Sequence, residues 1–100
     1  MIVRVWKGWT TPENAPVYQA LFCNEIAPKL TKDIKGYIST RLLKIKRDNE
    51  VEFTTHFYFD SIDSIKHFAG DDYTRAVIPD ETKAVLTRYN SHAEHHQVIV

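Results

Sequence analysis

The sequence predicts a single α+β domain in the order β-α-β-β-α-β, and three observations predict it. Its 100 residues suit one compact domain, 1–100, with its own core. Two apolar stripes at helical spacing alternate with runs that have the two-residue period of strands. The composition, 43% hydrophobic and 26% charged, lies near globular averages and sets disorder aside. The order is that of the split βαβ, or ferredoxin-like, arrangement: a four-stranded antiparallel sheet with both helices on one face.

The first strand is Ile2 to Trp9, where Ile2, Val3, Val5, Trp6 and Trp9 are apolar at both parities. That pattern fits a strand covered on both sides. Gly8 is read as a bend or bulge. The first helix has competing starts. Thr10 and Glu13 have capping-box spacing, and Thr11 before Pro12 fits an N-cap with proline at N1. Pro16 lies beyond a first turn begun there, which moves the regular start towards Asn14. Tyr18, Leu21, Phe22, Ile26 and Leu30 then form one stripe. Pro28 is expected to kink or end this helix near Ala27, with a looser turn running to Ile34.

After Gly36, Tyr37 to Arg47 reads as the second strand and Val51 to Phe59 as the third, joined by the polar turn 47–50 into a hairpin. Val51, Phe53, Thr55, Phe57 and Phe59 share one face, and Glu52, Thr54, His56 and Tyr58 the other. Asp60 or Ser61 caps a second helix with the stripe Ile62, Ile65, Phe68, and Gly70 stops it. Asp71-Asp72 is expected to cap a short segment from Tyr73 to Ile78, closed by Pro79. Asp80 to Arg88 is a helical turn or a compact loop, and His95 to Val100 is the fourth strand.

Helices can cover only one face of such a sheet. The second face keeps apolar residues on strand one and Tyr58 on strand three, a patch that a lone domain would expose. Pairing two sheets face to face buries it, and a symmetric homodimer is the simplest way to do so.

Charge and cysteine count exclude several classes. Thirteen basic and thirteen acidic residues cancel, so nucleic acid and anionic membrane surfaces are not expected partners. The one cysteine, Cys23, rules out an intrachain disulfide and multi-cysteine zinc frameworks, and fits a cytoplasmic setting. Beside Phe22 it reads as a small buried residue. No basic leader and no long apolar run is present, so neither a signal peptide nor a transmembrane helix is expected.

The chain resembles the antibiotic biosynthesis monooxygenase-like domains of the dimeric α+β barrel superfamily over nearly its whole length. The resemblance rests on the opening strand running into Gly8-Trp9-Thr10-Thr11-Pro12-Glu13-Asn14-Ala15, and on Ala27-Pro28 and Val51-Glu52-Phe53. It continues through Phe59-Asp60-Ser61-Ile62, Phe68-Ala69-Gly70, Tyr73-Thr74-Arg75-Ala76-Val77-Ile78-Pro79 and His95. These mark a fold and a subgroup rather than a catalytic signature. The resemblance implies a homodimer. The activities it implies divide: some members oxidise a small aromatic without metal or organic cofactor, others degrade haem, and many have no known activity. The haem-degrading branch uses an Asn, a Trp and a His; those positions fall near Val5 or Trp6, on Phe68 and on Ile78. None of the three residues is there, so haem degradation is not expected.

The histidines are the candidate catalytic residues, since a neutral imidazole can accept a phenolic proton near neutral pH. His95 ranks first because it matches the resemblance; His56 and His67 follow. Each has a simpler reading. His56 and Tyr58 share a strand face and could satisfy each other across a dimer interface, and His67 lies four residues after Asp63, an ion-pair spacing. Trp6, Phe22, Tyr58 and Phe68 are the candidate ligand-binding residues, although aromatics at these spacings also build cores. His92, His95 and His96 form a short cluster, but strand geometry separates them too far for one ion. A metal would need a turn there or ligands from a partner chain, and none is expected. Two functions remain open: a cofactor-independent monooxygenase acting on a phenol, quinol or polyketide-like aromatic, and a non-catalytic binding or structural homodimer. A filled interior favours the second, a cavity with a converging histidine the first.

Overall fold

The computed structural model describes residues 1–100. Its elements are β1 (Ile2–Thr10), α1 (Ala15–Leu21), α2 (Ala27–Thr31), β2 (Tyr37–Arg47), β3 (Glu50–Phe59), α3 (Ile62–Ala69), α4 (Asp80–Val85), β4 (Arg88–Tyr89) and β5 (Glu94–Gln97). The strands lie in the order β2-β3-β1, and β4 and β5 both pair along the outer edge of β1. All pairings are antiparallel. This is the ferredoxin-like sheet, with its last strand in two pieces.

The alternation on β3 holds at every residue from Val51 to Phe59. Val51, Phe53, Thr55, Phe57 and Phe59 are buried and the residues between them are half-buried. Their face meets the helices, where Tyr18, Phe22, Ile26 and Ile65 complete the core with Leu86. Register places Ile2, Arg4, Trp6, Gly8 and Thr10 on that face of β1, opposite Phe59, Phe57, Thr55, Phe53 and Val51. Gly8 stands in regular ladder rather than at a bulge. A Cβ there would sit 2.7 Å from Leu86 Cδ1 and 3.3 Å from Trp6 Cη2, so close packing explains the glycine. Gly36, at φ +87°, lies against Asp60 and Ser64 at the mouth of the hairpin, where no side chain fits.

Several expectations need correction. Thr10 caps nothing and instead donates to Val85 O, whereas Thr11 Oγ1 accepts from the Asn14 N–H at 3.2 Å and closes the turn before Pro12 that leads into α1. The regular helix begins after Asn14, as expected, and Pro16 falls in its first turn where its missing N–H is harmless. Pro28 does not end the helix. Phe22–Ile26 is π-helical, with the Ala27 N–H reaching back to Phe22 O, and Pro28 begins a fresh α-turn that runs to Thr31. Cys23 is exposed, because its neighbour Phe22 takes the inward position.

The region after Gly70 departs most. Tyr73–Ile78 forms no capped helical segment. Arg75 instead bridges His92, the Ala76 N–H donates to Ser91 O, and the Ala93 N–H donates to Thr74 O. Residues 91–93 are thus drawn off the edge of β1, which splits the last strand. The expected strand His95–Val100 is β5, Glu94–Gln97, preceded by the unforeseen β4. Asp80–Val85 is helical, ending earlier than Arg88. Ser61 does cap α3, accepting from the Ser64 N–H at 3.2 Å, and Gly70 ends it at φ +90°.

Candidate functional site

A narrow cleft opens between the helix-covered face of the sheet and the segment from Ala76 to Thr82. Its walls include Trp6, Phe22, Phe57 and Phe68 with Tyr18, Ile26 and Leu30, and Ala76, Val77 and Pro79 form the outer side. Its polar lining is Arg4, Thr55 and Thr82. Its volume is about 30 Å³. That admits water but not a ring, since a cavity that takes benzene measures about 150 Å³.

Arg4 is the one charged residue of the cleft. It is 3% exposed, and no carboxylate pairs with it. Its Nη1 donates to Tyr73 O and, at 3.0 Å, to His95 Nε2; its Nη2 donates to Arg75 O at 3.0 Å. Burial pushes its pKa down to about 10, still charged at neutral pH. The guanidinium carbon lies 5.4 Å over the Phe68 ring, a cation–π contact. An arginine only donates, so His95 Nε2 must accept and the imidazole is neutral. Burial and then the Arg4 charge push the His95 pKa down to about 4. Tyr73 packs edge-on against that ring at 5.2 Å.

Two buried hydroxyls on the cleft have no hydrogen-bond partner, Tyr18 OH and Thr82 Oγ1. Burial pushes the Tyr18 pKa up, with the neighbouring Cys23 adding to it, so the phenol stays protonated and free to donate. Thr55 Oγ1 is engaged with Trp6 O at 3.3 Å.

The sequence-level candidates scatter. Trp6, Phe22 and Phe68 do line the cleft, whereas Tyr58 stands on the other side of the sheet. His95 touches the cleft only through Arg4, His67 is exposed on α3, and His56 lies with Tyr58 on the open face. The three histidines therefore share no site. The Tyr58 hydroxyl is 3.4 Å from His56 Nδ1. Burial, then the charges of Arg41 and His96, lower the His56 pKa. His56 and Tyr58 sit in a shallow hollow of about 570 Å³ with Val3, Ile38 and Arg41, closed at one side by Val98, Ile99 and Val100. His92, His95 and His96 converge on no common point: His92 bonds Ser91 on the Arg75 bridge, and His95 and His96 pair with successive residues of β1 on opposite faces.

Sequence reading missed Arg4 and the two hydroxyls. The signal for Arg4 was present. It is the charge on the parity of β1 that faces the phenylalanines of β3, hidden by apolar neighbours at both parities. The hydroxyls gave no signal, since a tyrosine in an apolar stripe reads as core.

No family model matches the chain, and no curated protein matches it. Solved structures do. The chain is similar to a variant of MhuD with two manganese protoporphyrin IX bound per active site, at 15% identity and TM-score 0.64, covering 100% of this chain and 96% of that one. It is similar to the haem-degrader MhuD of Mycobacterium tuberculosis with two haems bound in its active site, at 15% identity and TM-score 0.63, covering 100% and 97%. It is also similar to an ethyl tert-butyl ether D family protein of Bacillus halodurans, at 19% identity and TM-score 0.55, covering 99% and 100%. The fold is thus the ferredoxin-like α+β fold that these structures share, as expected from the sequence. At these identities the likeness extends to fold alone.

Haem does not fit the residues present. No histidine, cysteine or methionine lines the cleft, and Phe68 and Ile78 cannot ligate iron. The cleft volume is also far below that of a porphyrin. No helix is long and apolar enough to cross a membrane.

Proposed function

We propose that the protein is a homodimer that holds one small planar aromatic molecule per protomer in the cleft between sheet and helices. The observation that supports this is a cleft walled by aromatics, two of whose lining residues, Tyr18 and Thr82, carry buried hydroxyls without a partner. Buried polar groups without partners are rare, and each loses about 1–3 kcal/mol that a ligand could restore. The cleft must widen to take a ring. The wall able to yield is 76–79, part of the stretch 70–79 that lies outside every helix and strand. Titration with anthrone or a simple quinol, followed by chemical shifts of Trp6, Phe22 and Phe68, tests the proposal; shifts confined to the open face would overturn it.

The homodimer is supported by the open face of the sheet. Leu43 and Ile45 are 46% and 47% exposed there, next to the hollow around Val3 and Tyr58. Light scattering at micromolar concentration should give the mass of a dimer, and Tyr58→Asp should shift it towards monomer. A cytoplasmic setting accords with the lone, exposed Cys23.

Turnover is the second reading, and Arg4 favours it. A buried cation beside a bound phenol stabilises the phenolate, the form that can react with dioxygen once water is excluded. No histidine lines the cleft as base, and a His95 imidazole titrating near 4 accepts a proton poorly at pH 7. Binding therefore carries the proposal, and oxidation is its extension. Purified protein incubated with anthrone should give anthraquinone and water if the extension holds.

A further inference from the structure

We infer that the cleft selects an aromatic anion, a carboxylate or phenolate on a planar ring, whose charge is met by Arg4 and whose oxygens accept from Tyr18 OH and Thr82 Oγ1. This rests on the proposed use of the cleft and adds the chemical class of its occupant.

The charge of Arg4 is uncompensated. A guanidinium 3% exposed and without a carboxylate is a costly arrangement. Its present partners are neutral: two carbonyls, of Tyr73 and Arg75, and the lone pair of His95. Those hydrogen bonds satisfy some of its donors and none of its charge, and the remaining N–H groups are free. Tyr18 and Thr82 add two hydroxyls, 0% and 3% exposed, that donate to nothing. The cleft thus offers a cation and two donors, with no charged acceptor to oppose an anion. Arginine also meets planar oxyanions in a forked geometry that a lysine cannot supply.

His95 gives the site its sign. A protonated imidazole cannot accept from Arg4, and a carboxylate in its place would cancel the charge. A neutral imidazole holds the guanidinium in position and leaves it positive. The aromatic part of the ligand follows from Trp6, Phe22 and Phe68 around the same opening.

The test uses the 100-residue protein and matched probes. Benzoate and benzamide have nearly the same shape and differ in charge, and both are titrated by NMR with the Trp6, Tyr18 and Phe68 signals as reporters. Benzoate is expected to bind at least tenfold tighter. 4-Nitrophenol gives an independent optical readout: its bound pKa should fall below the free value in wild type and return to it in Arg4→Met. Arg4→Lys keeps the charge and guards against misfolding of the methionine variant; it should retain the lowered nitrophenol pKa and lose part of the benzoate affinity. Tyr18→Phe removes only the orphan hydroxyl and should weaken benzoate several-fold. Equal binding of benzamide and benzoate at these residues would overturn the anion inference and leave the cleft reading standing. An absence of perturbation at Trp6, Tyr18 and Phe68 by either probe would overturn both.

Discussion

The β2–β3 hairpin and the segment from Asp71 to Gln97 lie on the same sheet but are held in place by different means. The hairpin is a continuous ladder from Tyr37 opposite Phe59 to Arg47 opposite Glu50, with one irregularity between Tyr37 and Ser39. Its side chains alternate, and its turn uses Asp48 at φ +38°. The later segment pairs with β1 only through the short strands β4 and β5, and elsewhere is fastened to it by single bonds. Arg4 holds Tyr73 and Arg75, Trp6 Nε1 donates to Asn90 O at 2.6 Å, and Thr10 Oγ1 donates to Val85 O at 2.5 Å. The Thr87 N–H and hydroxyl both donate to Trp9 O. One region is specified by its own pattern, the other by residues 69 or more positions away. The candidate site lies at their meeting.

Phe53→Ala should strike both regions at once. Phe53 is 1% exposed and packs edge-on against Tyr18 at 4.8 Å. Its loss should cost about 3–5 kcal/mol in urea unfolding. Because the hairpin forms the floor of the whole core, protection from hydrogen exchange should fall in both regions together. A loss under about 1 kcal/mol would mean that the hairpin does not depend on its helical cover.

Arg4→Met separates the regions. It removes the bonds to Tyr73, Arg75 and His95 and also removes an unpaired buried charge. The two effects oppose each other, and a net loss of about 2 kcal/mol is expected. Exchange should accelerate at 73–76 and 91–95 while 39–57 stays protected. Equal acceleration in both would show that the fastening is not local.

Acid should act on the same fastening. The His95 pKa is depressed to about 4 from an ordinary value near 6.5. The unfolded chain therefore binds a proton first as pH falls. The contribution is fully present above about 6.5 and is lost progressively towards 4. The His56 pKa is lowered too, so its contribution has the same sign. A series of melting temperatures from pH 7 to pH 4 should fall in wild type. His95→Gln, which keeps an acceptor for Arg4 but does not titrate, should show a shallower slope.

Legibility in the sequence followed the same division. The hairpin, its two faces and the Ser61–Gly70 helix were readable because alternation, capping and a stop glycine are local signals. Tyr73–Ile78 was misread because an acidic pair before it resembles a cap, whereas pairing with Ser91 and Ala93 decides its form. Pro28 reads as a kink or an end near Ala27; the helix does change there, through a π-helical turn that a local rule does not foresee, but it continues to Thr31. At the site, aromatic spacing on the core face predicted the walls Trp6, Phe22 and Phe68. The histidine preference led away from the polar groups, since a residue type common in catalysis says nothing of which face it occupies. Arg4 was the more informative residue, a charge on a core-facing parity.

The smallest expected effect has the opposite sign to the others. Tyr18 packs against Phe22 at 5.9 Å and Phe53 at 4.8 Å, so its ring belongs to the core that the hairpin builds. Tyr18 also lines the cleft, and its buried hydroxyl has no partner. Tyr18→Phe keeps the ring and deletes the one atom that burial penalises. Removing an orphaned hydroxyl relieves its desolvation, and the small void left behind offsets part of the gain. The unliganded protein should become more stable by about 1 kcal/mol, roughly 4–8 °C in melting temperature. Ligand binding should weaken in the same variant. A gain of stability with a loss of binding marks a group kept for a ligand, and a loss of both would make Tyr18 OH a structural donor instead.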